Sequence, residues 1–479
     1  MTSVKRALLA ILAVAMCAAG IYGYAAARRE RTFRQAVERG DAALAKDDTF
    51  TAIESFSGAI ALKDASMLGY LKRGEAYRRR QQLDSTGRAR RQALKFDPAA
   101  DAAIRDLLHA VELDPLAPRP LELLGDVNYS LLRYDRAAER YQNYVELDDR
   151  SPRVLYKLGL AHYSARRPGA AIAALQKAIA IDDKFAEAYY LLGLSFRDTQ
   201  RRDKSLRALE TSVRLAPAMV HAREELADLY GRVGRVRDRL AQLEALLWID
   251  PGPSRQVALG LAYARAGQFD RAVTTLGDAA ERYPDDSYTY VALGRVWLEK
   301  AQPAQDRVDL SKALGALQEA VGSADSSEAL MLFGRALLLS QNVEAAETVL
   351  QHATEKLPVD PQAFYYLADA AERRGHADTA RRALLDYRAL EGEDPDVRRR
   401  AAFAVRLADL SMQAGDPARA VAWYQRALDA TTADAPLLVK VGDAQLKSGA
   451  AAAARVTLEK ALEKDPFNRD ARALLRRIK

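Results

Sequence analysis

The chain has 479 residues, a net charge of +7 and a single cysteine, Cys17, which excludes an internal disulfide framework and a thiolate metal site. Strand formers are scarce, and Pro and Gly are spread evenly along the chain, so one continuous helical architecture is expected rather than domains joined by linkers. Residues 1–34 carry +5, residues 72–95 carry +7 and the remainder carries −5, which leaves no basic working face of the kind that nucleic-acid binding needs.

Residues 1–6 form a short basic tail containing Lys5 and Arg6, and residues 7–27 then run without a charge. About 20 apolar residues are enough to span a bilayer as a helix. Residues 7–27 therefore read as a transmembrane anchor, with a cleaved signal peptide ending at Ala25-Ala26-Ala27 as the rival. A bulky Met16 before Cys17 argues against a lipoprotein signal. Arg28, Arg29, Arg31 and Arg34 follow the span, while Lys5 and Arg6 precede it. The two flanks pull its orientation in opposite senses. A short basic tail is hard to translocate, which favours a bacterial inner-membrane protein with its bulk in the periplasm. The alternatives are the cytoplasmic face, or release to the periplasm after cleavage.

From residue 33 onward a small residue recurs in phase. Gly125, Gly159, Gly193, Ala227, Gly260 and Gly294 are spaced by 33 or 34 residues, and Gly40, Gly74, Gly334, Ala368, Ala408 and Gly442 extend the series to twelve. Twelve residues after most of them stands a second small residue, such as Ala137, Ala171 or Ala272, and four later a large apolar one, such as Tyr141, Leu175 or Leu276. Pro217, Pro251, Pro284, Pro358 and Pro466 close units. Each unit reads as two antiparallel helices, A and B, whose small residues let the backbones approach. The turn between them, as in Arg265-Ala-Gly-Gln268, uses Gly to end helix A in a left-handed conformation, and proline stops helix B. The unit of Ala227 carries Arg239 where the small helix-B residue belongs, so looser packing is expected there.

Tyr189-x₂-Leu192-Gly193-x₂-Phe196 and Tyr290-x₂-Leu293-Gly294-x₂-Trp297 resemble the signature of the tetratricopeptide repeat (TPR). The resemblance covers residues 33–479. It implies an all-α fold, a right-handed superhelical solenoid of antiparallel helix pairs, here behind an N-terminal transmembrane or signal helix. About twelve units are expected over 33–466, with insertions near 81–97, 300–310 and 392–395, the second read as a loop. Residues 467–479 read as a C-terminal capping helix, which solenoids need.

No catalytic or nucleotide-binding motif appears, and His109, His162, His221, His352 and His376 fall at unrelated phases. No enzyme, cofactor or metal site is therefore expected. Asn128-Tyr129-Ser130 matches a glycosylation sequon inside an expected helix.

In a TPR array, helix A lines a concave groove in which peptides or partner helices lie, as the resemblance implies. The repeat phase puts Glu122, Asp126, Tyr129, Tyr156, Tyr163, Tyr190 and Arg197 there, followed by Glu224, Asp228 and Arg232. Further along it puts Arg295, Arg335, Tyr365, Asp369, Arg373 and Asp409. Tyrosine and arginine most often carry interface energy. The tyrosine stretch is expected to be the main binding surface, with packing between neighbouring A helices as the alternative role of Tyr156 and Tyr190. The basic insertion, with Arg78, Arg79, Arg80, Arg88, Arg90 and Arg91, is expected to meet anionic lipid or an acidic partner. The expected function is a membrane-tethered scaffold for partner proteins, as in envelope biogenesis, secretion or polysaccharide export. The alternative is a periplasmic carrier of lipid or glycan.

Overall fold

The computed structural model describes residues 2–85, 97–302, 306–430 and 434–478. Twenty-five helices and no strand occur among the described residues. The chain divides into two compact bodies, one up to Val233 and one from Gly234.

The N-terminal body contains the helix pairs α1/α2 (Thr2–Leu44, Thr49–Leu62), α3/α4 (Met67–Ser85, Pro98–Leu113) and α5/α6 (Pro118–Ser130, Tyr134–Leu147). Next come α7/α8 (Pro152–Ser164, Pro168–Ile181), α9/α10 (Ala186–Asp198, Arg202–Leu215) and a last helix, α11 (Val220–Arg232). The C-terminal body begins with α12 (Val236–Ile249), then α13/α14 (Pro253–Arg265, Phe269–Arg282) and α15/α16 (Ser287–Ala301, Arg307–Ser323). It continues through α17/α18 (Ser327–Leu339, Val343–Glu355), α19/α20 (Pro361–Arg373, Ala377–Glu391), α21/α22 (Val397–Gln413, Pro417–Ala430) and α23/α24 (Ala435–Lys447, Ala451–Lys464). It ends on α25 (Arg469–Leu475), whose Ala471 and Leu474 cover Leu458 and Ala461 of α24.

Nine repeats share one clamp. The glycine of helix A lies directly under the large residue of helix B. A methyl group added to Gly334 would sit 2.4 Å from Leu350 Cγ, and one added to Gly125 would sit 2.3 Å from the Tyr141 ring. Neither leaves room for a side chain, which is why the phase of small residues is so regular. Cores then run across repeat boundaries: Leu121, Tyr141 and Tyr144 of the α5/α6 pair pack with Val154, Leu155 and Leu158 of α7. A hairpin cannot bury these faces alone, and stacking supplies the missing cover.

The turn between A and B is equally regular. Seven residues after the small residue the backbone is left-handed, at Asp47, Leu132, Arg166, Gln200 and Gln341 as well as at Gly234, Gly267, Gly375, Gly415 and Gly449. At Gly267 the next amide, that of Gln268, donates back to the Tyr263 carbonyl at 2.9 Å, closing a Schellman turn. The two repeats without such a residue are those of Gly74 and Gly294, where helix A runs on past that point. This corrects the loop expected at 300–310. Lys300 and Ala301 belong to α15, and Arg307 to Leu310 to α16. The added residues lengthen both helices, and the slot over Gly294 is filled by Leu317. In the repeat of Gly74, α3 likewise runs to Ser85, and Leu107 of α4 fills the slot.

The division between the bodies falls between α11 and α12, inside the repeat of Ala227. The Arg239 Nε there is buried without a hydrogen-bond partner, and α12 buries only Leu240 and Leu246.

Helix α1 is one unbroken 43-residue helix. Its first part exposes Leu8, Ile11, Leu12, Val14, Met16, Ile21, Tyr22 and Tyr24, whereas Phe33, Val37 and Ala43 are buried against α2. It is long and apolar enough to cross a membrane, with an 18-residue window of mean hydropathy 1.5. The same polypeptide rod is thus solvent-exposed hydrocarbon at one end and helix A of the first repeat at the other.

Candidate partner-binding groove

Successive A helices of the N-terminal body, α3, α5, α7 and α9, line a groove of about 710 Å³. Its walls include Arg78 from α3, Asp126 and Tyr129 from α5, Arg153, Tyr156 and Lys157 from α7, and Phe185 and Glu187 at the start of α9. Helix A contributes because its side chains three and four apart fall on one face, and each repeat presents that face in the same phase.

The two tyrosines are half-buried and anchored at one edge. The Tyr129 hydroxyl lies 3.1 Å from Ser164 Oγ, and its ring centroid is 5.2 Å from that of Tyr134. The Tyr156 ring lies 5.0 Å from Phe185. Burial, then the charge of Glu187, pushes the Tyr156 phenol above its ordinary pKa, so it stays neutral and keeps a hydroxyl for hydrogen bonding. Rigid aromatic surface with a polar tip is suited to holding a peptide at low entropic cost.

The acids expected beside them do a different job. Glu122 is only 6% exposed. It accepts from Lys157 Nζ at 2.7 Å and from Arg119 at 2.6 Å. Asp126 accepts from the same Lys157 Nζ at 2.7 Å and from the Tyr141 hydroxyl at 2.7 Å. Lys157 therefore ties two carboxylates of α5 to α7, and the pair fastens neighbouring repeats. Burial pushes the Glu122 carboxyl up, but the hydrogen bonds and charges of Lys157 and Arg119 outweigh it and hold the group below its ordinary range.

Tyr163 and Arg197 sit one repeat further on. Arg197 reaches the Tyr163 hydroxyl at 3.5 Å and pairs with Glu225 and Asp198. Tyr190 packs half-buried between the α7–α10 core and the cluster around Leu209 and Leu226. None of these three lines the groove. On α11, Asp228 and Arg232 form an exposed pair at 2.8 Å, and Glu224 takes His221 Nδ1 at 3.2 Å. In the C-terminal body Arg295 pairs with Glu328, Arg335 lies over the Tyr366 ring at 5.6 Å, and Asp369 pairs with Arg373 at 2.9 Å. Asp409 accepts from Tyr424 and from Lys440. Tyr365 faces a separate pocket of about 520 Å³ with Tyr387, Phe403 and Arg406, lined also by residues 392–395.

The arginine run does not share one surface. Arg78 enters the groove, Arg79 pairs with Asp47 at 2.7 Å, and Arg80 is exposed. Arg88, Arg90 and Arg91 lie outside the described residues. Asn128 is buried and donates to the Leu124 carbonyl at 2.7 Å, so the sequon has no accessible amide. No metal-ligand cluster occurs among the described residues.

Sequence reasoning missed Arg153, Lys157, Phe185 and Glu187. Lys157 carried a usable signal, because it stands two residues before Gly159 just as Lys440 stands two before Gly442. Arg153, Phe185 and Glu187 fall at the starts of A helices, ahead of the positions the phase selects.

Models of the tetratricopeptide repeat match residues 124–184, 186–219, 253–296, 331–396, 365–435 and 411–478. A search of curated proteins finds no match. Among solved structures the chain is similar to MamA at 29% identity, over 32% of this chain and 89% of that one, with a TM-score of 0.31. It is similar to YrrB, described as a TPR protein with an unusual peptide-binding site, at 19% identity over 43% and 96%, with a TM-score of 0.35. A third is a tetratricopeptide repeat protein from Parabacteroides merdae, at 19% identity over 54% and 97%, with a TM-score of 0.34. With the repeat models together spanning more than half of its length, and with the nine glycines of the phase seated under their helix-B partners, the chain belongs to the tetratricopeptide-repeat family.

Proposed function

We propose that this protein is a non-enzymatic scaffold, held at a membrane by α1, that captures a segment of a partner protein in the groove of Tyr129 and Tyr156. The observation that carries the reading is that both rings line one concavity while keeping part of their surface open. Lys157 and Asp126 beside them are spent on fastening repeats. The apolar N-terminal half of α1 supports the tether, since its described side chains, Leu8 and those from Ile11 to Tyr24, are exposed.

The test is site-specific photocrosslinking in membranes. A photoreactive phenylalanine analogue at Tyr156 should trap a discrete protein adduct. The same analogue at Trp248, which is 88% exposed on α12, should not trap that adduct. A parallel Tyr129→Ser, Tyr156→Ser chain should lose the partner with its helical signal intact. Adducts of equal yield at both positions, or lipid and glycan adducts alone, would reject the reading.

A further inference from the structure

Three cations on the A helices α3, α5 and α7 are matched by acceptors inside the protein. Lys157 has Glu122 and Asp126, Arg119 has Glu122 and Glu75, and Arg73 holds Asp106 through Nε at 2.7 Å and Nη2 at 2.8 Å. Arg78 differs. Its side chain is 19% exposed, its Nε is buried without a hydrogen-bond partner, and its nearest carboxylate oxygen, Asp126 Oδ2, is 3.9 Å away. That distance is too long for a hydrogen bond. The other oxygen, Asp126 Oδ1, is already shared by Tyr141 and Lys157. A guanidinium presents its donors as a fixed fork, and its two Nη groups can meet a carboxylate end-on and bidentately. Arg153, exposed on the same groove, makes no ion pair or hydrogen bond among the described residues.

We propose that Arg78 is the specificity residue of the groove and receives an Asp or Glu side chain of the captured segment, next to the Tyr129 and Tyr156 rings. This rests on the groove being the partner-binding surface and adds the chemistry of what it accepts. Arg78, held only by a long ion pair at 3.9 Å, and Arg153, which has no ion pair among the described residues, stand on separate helices, α3 and α7, and together call for more than one carboxylate. A chain terminus alone cannot supply that, so the acids come from side chains of an acidic segment. Formation of such a pair in a partly desolvated groove gives discrimination rather than adhesion alone.

The probe is a library of random twelve-residue peptides, displayed with blocked C-termini, selected against the full-length chain in detergent micelles. The wild-type protein should enrich Asp or Glu at two positions, one of them next to an apolar residue, at least about fivefold over the library. The Arg78→Gln protein should lose the enrichment beside the apolar residue, and Arg78→Lys should keep part of it. A synthetic copy of the leading peptide, amidated at its C-terminus, should bind Arg78→Gln roughly tenfold more weakly. Changing the acid beside its apolar residue to the amide should weaken binding to the wild type but not to Arg78→Gln, which is the coupling that assigns the pair. Peptides that bind in a Tyr156-dependent way without acidic preference would overturn the role of Arg78 and leave the groove intact. Peptides indifferent to Tyr156→Ser, or no selected peptide at all, would overturn both.

Discussion

The Tyr141 hydroxyl donates to Asp126 at 2.7 Å, from the slot over Gly125 to the residue after that glycine. The arrangement recurs in the other body, where Tyr424 donates to Asp409 and Lys440 Nζ bonds the same carboxylate at 2.7 Å. In both cases a tyrosine replaces the usual Leu of the slot. Its polar tip then needs an acceptor, which the Asp supplies. The lysine of the next repeat balances the acid. Burial first, and then the aspartate, pushes both phenols above their ordinary pKa.

Tyr141→Phe keeps the ring and removes the bond. Stability should fall by about 1 kcal/mol, the net worth of one such hydrogen bond. Urea denaturation followed by circular dichroism reads it as a lower midpoint with an unchanged slope. An unchanged midpoint would show that Lys157 alone satisfies Asp126.

Two glycines of one repeat should respond in opposite senses to alanine. A methyl on Gly260 meets Leu276 Cγ at 2.5 Å, so Gly260→Ala overpacks the clamp and should cost about 1–3 kcal/mol. Gly277, inside α14, has nothing within 4 Å. Gly277→Ala should stabilise by about 0.5–1 kcal/mol through helix propensity. Thermal melts of the two variants should move in opposite directions; a shared direction would rule out the clamp as the reason for the phase.

Leu132 holds a φ of 59° and is half exposed. An L-residue there is strained by about 1–2 kcal/mol, and five other repeats use Gly at the equivalent position with φ from 74° to 87°. Leu132→Gly should therefore raise the melting temperature, less the greater chain entropy of glycine. A fall would mean that the leucine side chain contributes packing that its exposure hides.

Glu122 should make the N-terminal body acid-sensitive. Its folded pKa lies below the unfolded value, so the folded state binds fewer protons over that interval. The stabilisation is complete above the unfolded pKa of roughly 4.3 and is lost as pH falls through the folded one. Melting temperatures recorded between pH 7 and pH 3 should drop more steeply for the wild type than for Glu122→Gln. Parallel curves would show that the Lys157 bridge contributes nothing.

A chain tethered through α1 keeps its first residues. Intact-mass analysis of the membrane fraction should give the full-length mass, and alkaline carbonate should fail to extract it. A mass corresponding to a start after Ala27, with the protein in the soluble fraction, would identify the segment as a cleaved leader.

The repeat was legible because the seat beneath the large helix-B side chain tolerates only a small residue, so steric need writes itself directly into residue type. The left-handed turn was legible only by phase, since Leu132, Arg166 and Gln200 occupy it as well as glycines. The groove was legible in part. Tyr129, Tyr156 and Asp126 line the concavity at positions the phase selects, but the sequence does not show that Glu122 and Asp126 are bonded inside the protein. Their partner, Lys157, is 31 to 35 residues away in sequence and becomes a neighbour only when repeats stack. Arg78, Arg79 and Arg80 read as one basic patch. Successive residues of a helix are turned by about 100°, so adjacent arginines serve different surfaces.

The continuity of α1 has a mechanical consequence. The exposed stretch ending near Tyr24 and the buried Phe33 share one hydrogen-bonded rod, so they are geared. Inserting one residue between them turns the first repeat by about 100° about the rod and lifts it by about 1.5 Å. A four-residue insertion nearly restores the heading, with a residual turn of about 40°, at a height greater by about 6 Å. The azimuth of the first hairpin about that axis is thus counted out in residues, and the few positions between Tyr24 and Phe33 act as its index.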